Sequence, residues 1–451
     1  MGGGLLQLVA YGAQDVYLTG NPQITFFKGT YKRHTNFAIE AIEQTFNGNV
    51  GFGSRVTCQI SRNGDLINRV YLQLKLTNTT ADVYCKYFGL RVINYVEIEI
   101  GGQKIDKHYA HWLYIWNELS LPKAKRDGYN EMVGAYGGGV NYVTDADKAS
   151  IKDTLYVPLE FWFCRNVGLA LPLIALQYHE VKLNINFEQE TKLRYDATVT
   201  TTATSPTFTA SLWVDYIFLD TDERRRFAQL SHEYLIEQLQ FTGEEAITST
   251  NVKAKLNFNH PCKELVWFLT NSKNNNNNWF NYTTTINNVS GPDFGTDKLT
   301  KKLMCDGLSG FGSSTTAELL YPANPVKNAK LVLNGNDRFA TRTGNYFNVV
   351  QPYQHHENVP ANAGINVYSF ALKPEEHQPS GTLNMSRIDT AVLNLTVFNQ
   401  TTALGGTGYE GNEAASYKGK YDSADSSLLV YATNYNVLRI LSGMGGLAYS
   451  N

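Results

Sequence analysis

Nine histidines are the first candidates for metal binding or acid–base chemistry in this 451-residue chain. His108 and His111 stand three residues apart in a segment with helical spacing, which would bring two imidazoles to one metal ion. A third ligand does not follow at a suitable spacing, and a zinc site needs at least three protein ligands. We therefore expect both histidines to be surface or helix-capping residues.

Two His-Glu dipeptides, at positions 179–180 and 232–233, begin like the HExxH motif of zinc proteases. The second histidine of that motif is replaced by Leu183 in the first case and by Ile236 in the second. Neither dipeptide can therefore supply the two histidines that the motif places on one helical face. The histidine pattern predicts no metal site.

Glu375 and Glu376 form the clearest carboxylate pair. Adjacent residues on a turn point in different directions, so we expect both to be exposed rather than to act together as acid and base. The Ser-centred G-x-S-x-G motif of hydrolases does not occur. The sequence therefore predicts no catalytic residue, no enzymatic activity and no cofactor.

The elements that would have to position any such side chain are predicted to be strands and turns. Apolar residues make up 43% of the chain and aromatic residues 12%, in short alternating runs separated by Gly and Pro. The length fits two all-β domains, which often contain ~200–250 residues each. A net charge of −2 and a pI of about 6.5 argue against direct binding of nucleic acid, because phosphate backbones require a strongly basic face.

Five cysteines, an odd number without a CxxC pair, favour free thiols in a reducing compartment. No apolar run approaches the ~20 residues of a membrane-spanning helix, so we expect no span.

Four pairs of segments recur in the same order in the two halves of the chain, which indicates a domain duplication. Residues 155–187 and 367–398 each contain an early Tyr (Tyr156, Tyr368), a central Pro (Pro172, Pro379) and a closing alternating strand. The other three pairs are 39–74 with 235–269, 98–106 with 331–339, and 211–219 with 427–435. Two similar β-domains are therefore expected.

The duplication divides the chain into four parts. We expect an N-terminal arm at 1–35, a first domain at 36–219, a linker helix at 220–232 and a second domain with long surface loops at 233–451. Residues 107–121 are the longest helical candidate of the first domain, with apolar side chains on one face. The acidic first turn of the linker, at 220–223, suits a helix dipole.

Long polar loops of the second domain contain possible glycan sites. Residues 270–329 include a run of asparagines, and residues 399–426 are rich in Gly, Asn and Ser. Asn-x-Ser/Thr triplets begin at Asn281, Asn288 and Asn399, in or at the edge of these loops. We expect glycans at these three positions.

The chain resembles the double jelly-roll major capsid proteins of large icosahedral DNA viruses of algae and protists, over nearly its whole length. The resemblance is carried by residues 12–22 (GAQDVYLTGNP), 62–65 (RNGD), 172–181 (PLIALQYHEV), 213–220 (WVDYIFLD), 258–261 (FNHP), 334–339 (NGNDRF), 378–381 (QPSG), 434–440 (NYNVLRI) and 442–449 (SGMGGLAY). The loop at 271–328 departs from the family, and its run of asparagines belongs to this chain.

The resemblance implies two tandem eight-stranded antiparallel jelly-roll sandwiches with short helices in the connections. It implies a homotrimeric, pseudo-hexagonal capsomer that tiles an icosahedral shell with neighbouring capsomers around an internal membrane. The shell would be assembled in the host cytoplasm. Glycosylated loops would face outward, and the arm would lie on the underside against minor capsid proteins and the membrane.

Two alternatives remain open from the sequence. One is a minor or vertex capsid variant of the same fold, because sequence does not report copy number. The other is a glycan-binding jelly-roll protein, because this fold also serves in lectins. A lectin would display aromatic residues in its loops beside acids, and Trp279 is the one tryptophan expected in a loop.

Overall fold

A computed structural model of the chain describes residues 3–77, 85–135, 154–193, 207–272, 274, 276, 279–284, 324–398 and 425–449. The chain divides into two compact units, Met1–Phe37 and Ala38–Asn451. The first unit contains two short helices, α1 (Gly3–Leu8) and α2 (Val16–Thr19). Within it, the Asp15 side chain accepts a hydrogen bond from the backbone N–H of Gly12 at 2.8 Å.

Strands β1 to β9 form the first jelly roll, called the first roll below. They are β1 (Phe37–Gln44), β2 (Arg55–Gln59), β3 (Leu66–Thr77), β4 (Ile93–Ile100), β5 (Gln103–Tyr109), β6 (Thr154–Pro158), β7 (Leu171–Pro172), β8 (Val181–Phe187) and β9 (Thr207–Leu219). Sheet 1 has the order β1-β9-β3-β6, with β7 beside β3, and sheet 2 has the order β2-β8-β4-β5.

Strands β10 to β20 form the second roll. They are β10 (His232–Ala246), β11 (Asn251–Leu256), β12 (Pro261–Asn271), β13 (Val326–Leu333), β14 (Asn336–Asp337), β15 (Arg342–Thr343), β16 (Asn366–Ser369), β17 (Leu383–Asn384), β18 (Ala391–Val397), β19 (Ser426–Leu441) and β20 (Met444–Leu447). Sheet 3 has the order β10-β19-β12-β16, with β17 and β20 at its margins. Sheet 4 has the order β11-β18-β13-β14, with β15 beside β13.

The four-strand orders of sheets 1 and 2 correspond to those of sheets 3 and 4, and only β15 and β20 among the described strands lack a counterpart in the first roll. This correspondence confirms the expected fold class of two tandem jelly rolls. Each roll also has a bulge at the equivalent place in its central strand, between Ile67 and Arg69 in β3 and between Cys262 and Glu264 in β12. Counting from these bulges makes Tyr71 equivalent to Val266 and Leu72 to Trp267. The two halves are therefore equivalent residue by residue along this strand.

This register corrects one detail of the sequence comparison. Tyr156 lies opposite Gln73 on the outward face of sheet 1, whereas Tyr368 packs against the interior cluster of the second roll. The two tyrosines are therefore not equivalent. Pro172 also lies in a strand, the short strand β7, opposite Leu66. Proline is tolerated at the edge of a sheet because its missing N–H is not needed there for a hydrogen bond between strands.

The described ranges contain eight α-helices, of which α1 and α2 precede the first strand. The remaining six are α3 (Phe88–Arg91), α4 (Ala110–Ser120), α5 (Lys123–Val133), α6 (Trp162–Arg165), α7 (Thr221–Gln229) and α8 (Gln351–His355). A π-helical turn, Tyr346–Val350, leads into α8, and 3-10 turns occupy Val167–Leu169, Glu190–Lys192 and Met385–Arg387. The Asp220 side chain caps α7 by accepting a hydrogen bond from Thr221 N at 2.8 Å.

Helix α4 differs from its sequence-based prediction in two respects. It begins at Ala110, because the preceding residues continue strand β5 to Tyr109. Every residue from Ala110 to Leu119 is buried, whereas one apolar face was expected. A helix that is buried on all sides must be enclosed by several elements. Here both rolls enclose it.

Two large apolar clusters make up most of the described interior, and a small third one contains Leu66, Ala170 and Ile217. One of the two large clusters fills the second roll between sheets 3 and 4 and includes Leu265, Trp267 and Leu393. The other fills the first roll and continues without a break into residues on the outward face of sheet 3, such as Phe268 and Tyr431. Strand β12 is therefore apolar on both faces, and its sequence CKELVWFL lacks the polar alternation of a strand with one wet face.

Candidate functional site

The junction of the two rolls is the most elaborate arrangement of side chains in the described part of the chain. Its apolar part is made where α4 meets the outward face of sheet 3. The ring of Trp112 lies 5.8 Å from that of Tyr431, and the ring of Tyr109 lies 5.1 Å from that of Phe241. Aromatic pairs at these separations add to the stabilisation that comes from burial alone. The junction is thus packed like a protein interior.

A buried ion-pair network crosses the junction beside these rings. Arg165 of α6, in the first roll, places Nη1 3.1 Å from Oε2 of Glu237 in β10. The other oxygen of Glu237 lies 2.7 Å from Nζ of Lys263 in β12, whose side chain is only 1% exposed. The Arg165 guanidinium also covers the ring of Trp116 at 3.7 Å. Each charge therefore has a fixed partner in a region with little water to replace it.

His356 forms the second part of the network. Its Nε2 lies 2.9 Å from Oε2 of Glu264, and its Nδ1 lies 2.7 Å from Oε1 of Glu375. Thr433 donates a further hydrogen bond to Glu264 at 3.3 Å. Burial by itself would lower the pKa of His356, but the two carboxylates outweigh burial and raise that pKa to about 9. The ring is therefore a cation at neutral pH.

Asp106 of β5 joins the two rolls by direct hydrogen bonds. Its Oδ1 accepts from the backbone N–H of Leu239 in β10 at 3.0 Å, and its Oδ2 lies 2.9 Å from Nε2 of His108. The Gln238 side chain donates to the carbonyl oxygen of Ile105. The edge of β5 thus binds the edge of β10 through side chains rather than by strand pairing.

The hairpin formed by β19 and β20 makes a second set of contacts with the first roll. The N–H of Tyr178 donates to the carbonyl oxygen of Gly443 at 3.0 Å, and Nδ1 of His179 lies 2.9 Å from the carbonyl oxygen of Gly445. Gly443 has φ = 82°, and a Cβ there would lie 2.7 Å from the Tyr178 ring. Both the turn and the close approach require glycine at this position.

The expectation that His108 and His111 lie on the surface is wrong. Both are buried, because the end of β5 and the start of α4 are enclosed by the two rolls. His111 stacks on Trp279 with 3.7 Å between ring centroids, and its Nδ1 lies 2.7 Å from the hydroxyl of Tyr282. Burial, and after it the Arg91 guanidinium, lowers the pKa of His111 well below 6.5.

The remaining candidates for chemistry are dispersed. Glu376 pairs with Lys373 on the surface while Glu375 turns inward to His356, so the two carboxylates point in different directions. The expectation that both are exposed is wrong for Glu375, whose side chain is only 19% exposed because it binds the buried imidazole. His232 bonds the Phe227 carbonyl oxygen at 2.8 Å. Across the described ranges, no group of three or more His, Cys, Asp or Glu side chains is placed to hold a metal ion.

The three expected glycan sites fall in different surroundings. Asn281 is only 5% exposed, and its Oδ1 accepts hydrogen bonds from the N–H and hydroxyl of Thr283. Its neighbours Phe280 and Tyr282 are buried against α4. This part of the insert is therefore interior rather than an outward loop, and a glycan would require Asn281 to leave its place. Asn288 and Asn399 lie outside the described residues.

Trp279 does not provide a sugar-binding platform. Its ring stacks on His111, and the Arg91 guanidinium lies 3.8 Å from its centroid. The Trp279 ring, which would have favoured a glycan-binding protein, is thus covered by other side chains of the same chain.

The sequence reasoning missed the charged residues of the junction. One signal was present: Lys263 and Glu264 interrupt the otherwise apolar strand CKELVWFL. Charged residues inside such a strand are rarely buried without partners, so they indicate a buried ion-pair network. Their partners, Glu237 for Lys263 and His356 for Glu264, lie on other segments of the sequence and carried no such signal.

Of the five cysteines, the four that the structure describes (Cys58, Cys85, Cys164 and Cys262) are free thiols. Burial raises the pKa of the Cys58 thiol to about 11. Within the described ranges, none of the helices has the length and apolar character needed to cross a membrane.

Comparisons with known proteins agree with this architecture. A family model described as large eukaryotic DNA virus major capsid protein matches residues 223–446, and one described as major capsid protein N-terminus matches residues 25–220. The major capsid protein of Pyramimonas orientalis virus is 50% identical over 100% of both chains. That of Paramecium bursaria Chlorella virus 1 is 48% identical, also over 100% of both chains.

Solved structures show the same relationship. A chain of a quasi-atomic model of the PBCV-1 virus capsid matches with a TM-score of 0.74 and 42% identity, covering 95% of this chain and 100% of that one. The Faustovirus major capsid protein, at 15% identity, shares the fold with a TM-score of 0.67, covering 96% of this chain and 95% of that one.

The contacts of His356 predict that the protein loses stability at alkaline pH. The pKa of His356 rises from 6.5 to about 9 on folding, so its contribution is complete below pH 6.5 and is lost as the pH rises through 9. Replacing His356 with Gln leaves Glu264 buried beside a neutral group. We expect a loss of about 3 kcal/mol at pH 7, shrinking toward pH 10.

Thermal and denaturant unfolding of both proteins between pH 6 and 10 measures this difference. The matched control is His355→Gln, which removes a bond to the Leu372 carbonyl oxygen but no carboxylate contact. A stability difference between His356→Gln and the parent that stays constant with pH would contradict the assignment.

Proposed function

Because the chain belongs to the major capsid protein family of large eukaryotic DNA viruses, we propose that it forms pseudo-hexagonal homotrimeric capsomers of an icosahedral shell. The chain is a structural protein of the virion, and its relatives are capsid proteins rather than enzymes. The observation that carries the proposal is the pair of rolls with matching strand order within one compact unit.

The presence of two similar rolls in each chain favours a trimer on geometrical grounds. A flat shell is readily tiled by hexagons, and three chains with two like domains each supply six around one axis. Most homo-oligomers have closed symmetry, and head-to-tail contacts form a ring when the rotation between neighbouring chains closes. A tile must also hold its two domains at a constant angle, and the buried network from Arg165 to Lys263 opposes any opening of the junction.

The partners on the inner face are proposed from the N-terminal arm. Apolar rings in this unit are almost fully exposed, including Phe27 at 99% and Tyr31 at 93%. Exposed aromatic rings of this kind favour binding to another surface. We assign the arm to minor capsid proteins and the internal membrane under the shell, and the flanks of the trimer to neighbouring capsomers. The net charge of −2 gives no support to direct nucleic-acid contact.

Glycans on the outer loops complete the proposal. Asn288 and Asn399 are the acceptors that we propose, since both belong to polar loops of the second roll. The burial of Asn281 removes it from this proposal.

The trimer predicts a solution mass of three times 50.5 kDa. A permanent capsomer needs an extensive interface, on the order of 2,000 Å² or more, so the mass should not change on dilution through the micromolar range. Light scattering on the purified protein measures it. A stable monomer or dimer would count against the proposed capsomer.

Deleting residues 1–30 should leave a folded trimer that assembles poorly into shells. The physical reason is that Ala38–Asn451 forms a compact unit of its own. Circular dichroism, light scattering and electron microscopy of assembled particles provide the three readouts. A full-length control with Phe26→Ser and Phe27→Ser should reproduce the assembly defect, and loss of folding in the deletion would show that the arm belongs to the first roll.

Protein from its native source should have an intact mass above 50.5 kDa because of the loop glycans. Peptide mapping should find the added mass at Asn288 or Asn399 and an unmodified peptide at Asn281, where burial protects the side chain. A mass equal to that of the bare chain would refute the glycan proposal.

A further inference from the structure

The outward faces of sheets 1 and 3 are equivalent in fold but differ in what covers them. On sheet 3, Val266 pairs with Tyr431, and both are about 1% exposed because α4 of the first roll lies over this face. The equivalent pair on sheet 1 is Tyr71 with Trp213, and both are only half-buried. The first roll therefore has a face that corresponds to the covered one.

That face carries an ordered aromatic platform of Tyr71, Tyr156 and Trp213. The rings of Tyr71 and Trp213 are stacked 6.4 Å apart with an angle of 5° between their planes, and Tyr156 lies 6.1 Å from Tyr71. Gln73 accepts from Trp213 Nε1 at 2.8 Å and donates to the Tyr156 hydroxyl at 3.1 Å. The Trp213 N–H and the Tyr156 hydroxyl therefore have partners within the platform, and the faces of the rings are available to another molecule.

The chain also contains the counterpart of the covering helix. In the first roll, α4 follows β5 directly. In the second roll, the equivalent position after β14 and β15 is occupied by the π-helical turn and α8. One side of this segment displays Val349, Val350 and Tyr353, exposed at 43%, 37% and 79%. Positions four apart on a helix share a face, so Val349 and Tyr353 form one apolar strip.

We propose that the aromatic platform on sheet 1 is a docking surface for a second copy of this chain, which places its Val349–Tyr353 strip there. Within one chain, α4 of the first roll packs on sheet 3 of the second roll. The proposed contact has the same arrangement between two chains, with the strip of one copy on sheet 1 of the other. It is head to tail, joining the second roll of one copy to the first roll of the next, and such contacts close into a ring of three when each copy is rotated by a third of a turn from its neighbour. The inference rests on the proposed trimer and adds its contact surfaces. Tyrosine and tryptophan at the centre are typical of residues that dominate binding energy.

Cross-linking tests the contact directly. The double variant Tyr156→Cys, Tyr353→Cys is treated with a short bismaleimide and separated on a denaturing gel. We expect covalent dimers and trimers, because the two thiols face each other across chains. Each single variant is the matched control and should remain monomeric on the gel. Trimers in solution that do not cross-link in the double variant would overturn the docking surface.

A second variant measures the energetic role of the strip. Tyr353→Glu puts a charge on the apolar strip, and the chain should still fold because this position is exposed. The substitution should raise the concentration at which trimers dissociate by about a hundredfold or more. Tyr353→Phe keeps the ring and should behave like the parent.

The outcomes separate this inference from the proposed function. A parent protein that is monomeric would refute the trimer itself. A parent that is trimeric while Tyr353→Glu remains equally trimeric would refute only the docking surface, and would mean that another segment or another protein covers the platform.

Discussion

Apolar side chains on both faces of strand β12 are the constraint on which the rest of this structure depends. Leu265 and Trp267 fill the interior of the second roll, while Val266 and Phe268 face the other way. A sandwich has one interior, so the second set must be covered by another part of the molecule. Helix α4 covers it, and the two rolls consequently share one continuous apolar cluster.

Apolar packing holds the two rolls together, and the charged groups at this junction determine their relative orientation. Packing alone is non-directional, and two smooth faces slide with little change in buried area. Arg165, Glu237 and Lys263 have partners at fixed distances on three different elements. Any rotation of one roll against the other would leave a buried charge unpaired, which costs about 3–5 kcal/mol. The network therefore selects one relative orientation.

Duplication followed by divergence explains why the two rolls have different outer surfaces. Along the central strand, Arg69, Tyr71 and Gln73 of the first roll replace Glu264, Val266 and Phe268 of the second. The first set is mixed polar and aromatic, as expected for a surface that meets water before assembly. In the second set, Val266 and Phe268 are apolar and Glu264 is paired with His356, because none of the three is exposed in the folded chain. The same backbone thus carries a permanent internal junction and a surface suited to association.

The sequence by itself determined the fold class, the duplication and the linker helix. These depend on local patterns: alternation in β8, the acidic first turn of α7, and the repeated order of segments. The sequence also contained the apolar run of β12, from which a strand covered on both faces follows. Most of the fold was therefore predictable from the residues, and the family resemblance agreed with them.

Only the tertiary structure decided the site. His108 and His111 were expected to be surface or helix-capping residues, yet they are buried because both rolls enclose the end of β5 and the start of α4. Asn281 belongs to a polar loop in the sequence, yet its neighbours Phe280 and Tyr282 draw it into the interior. Lys263 and His356 acquire their partners from distant segments. Burial and electrostatic pairing depend on which segments meet in space, and local sequence patterns do not contain that information.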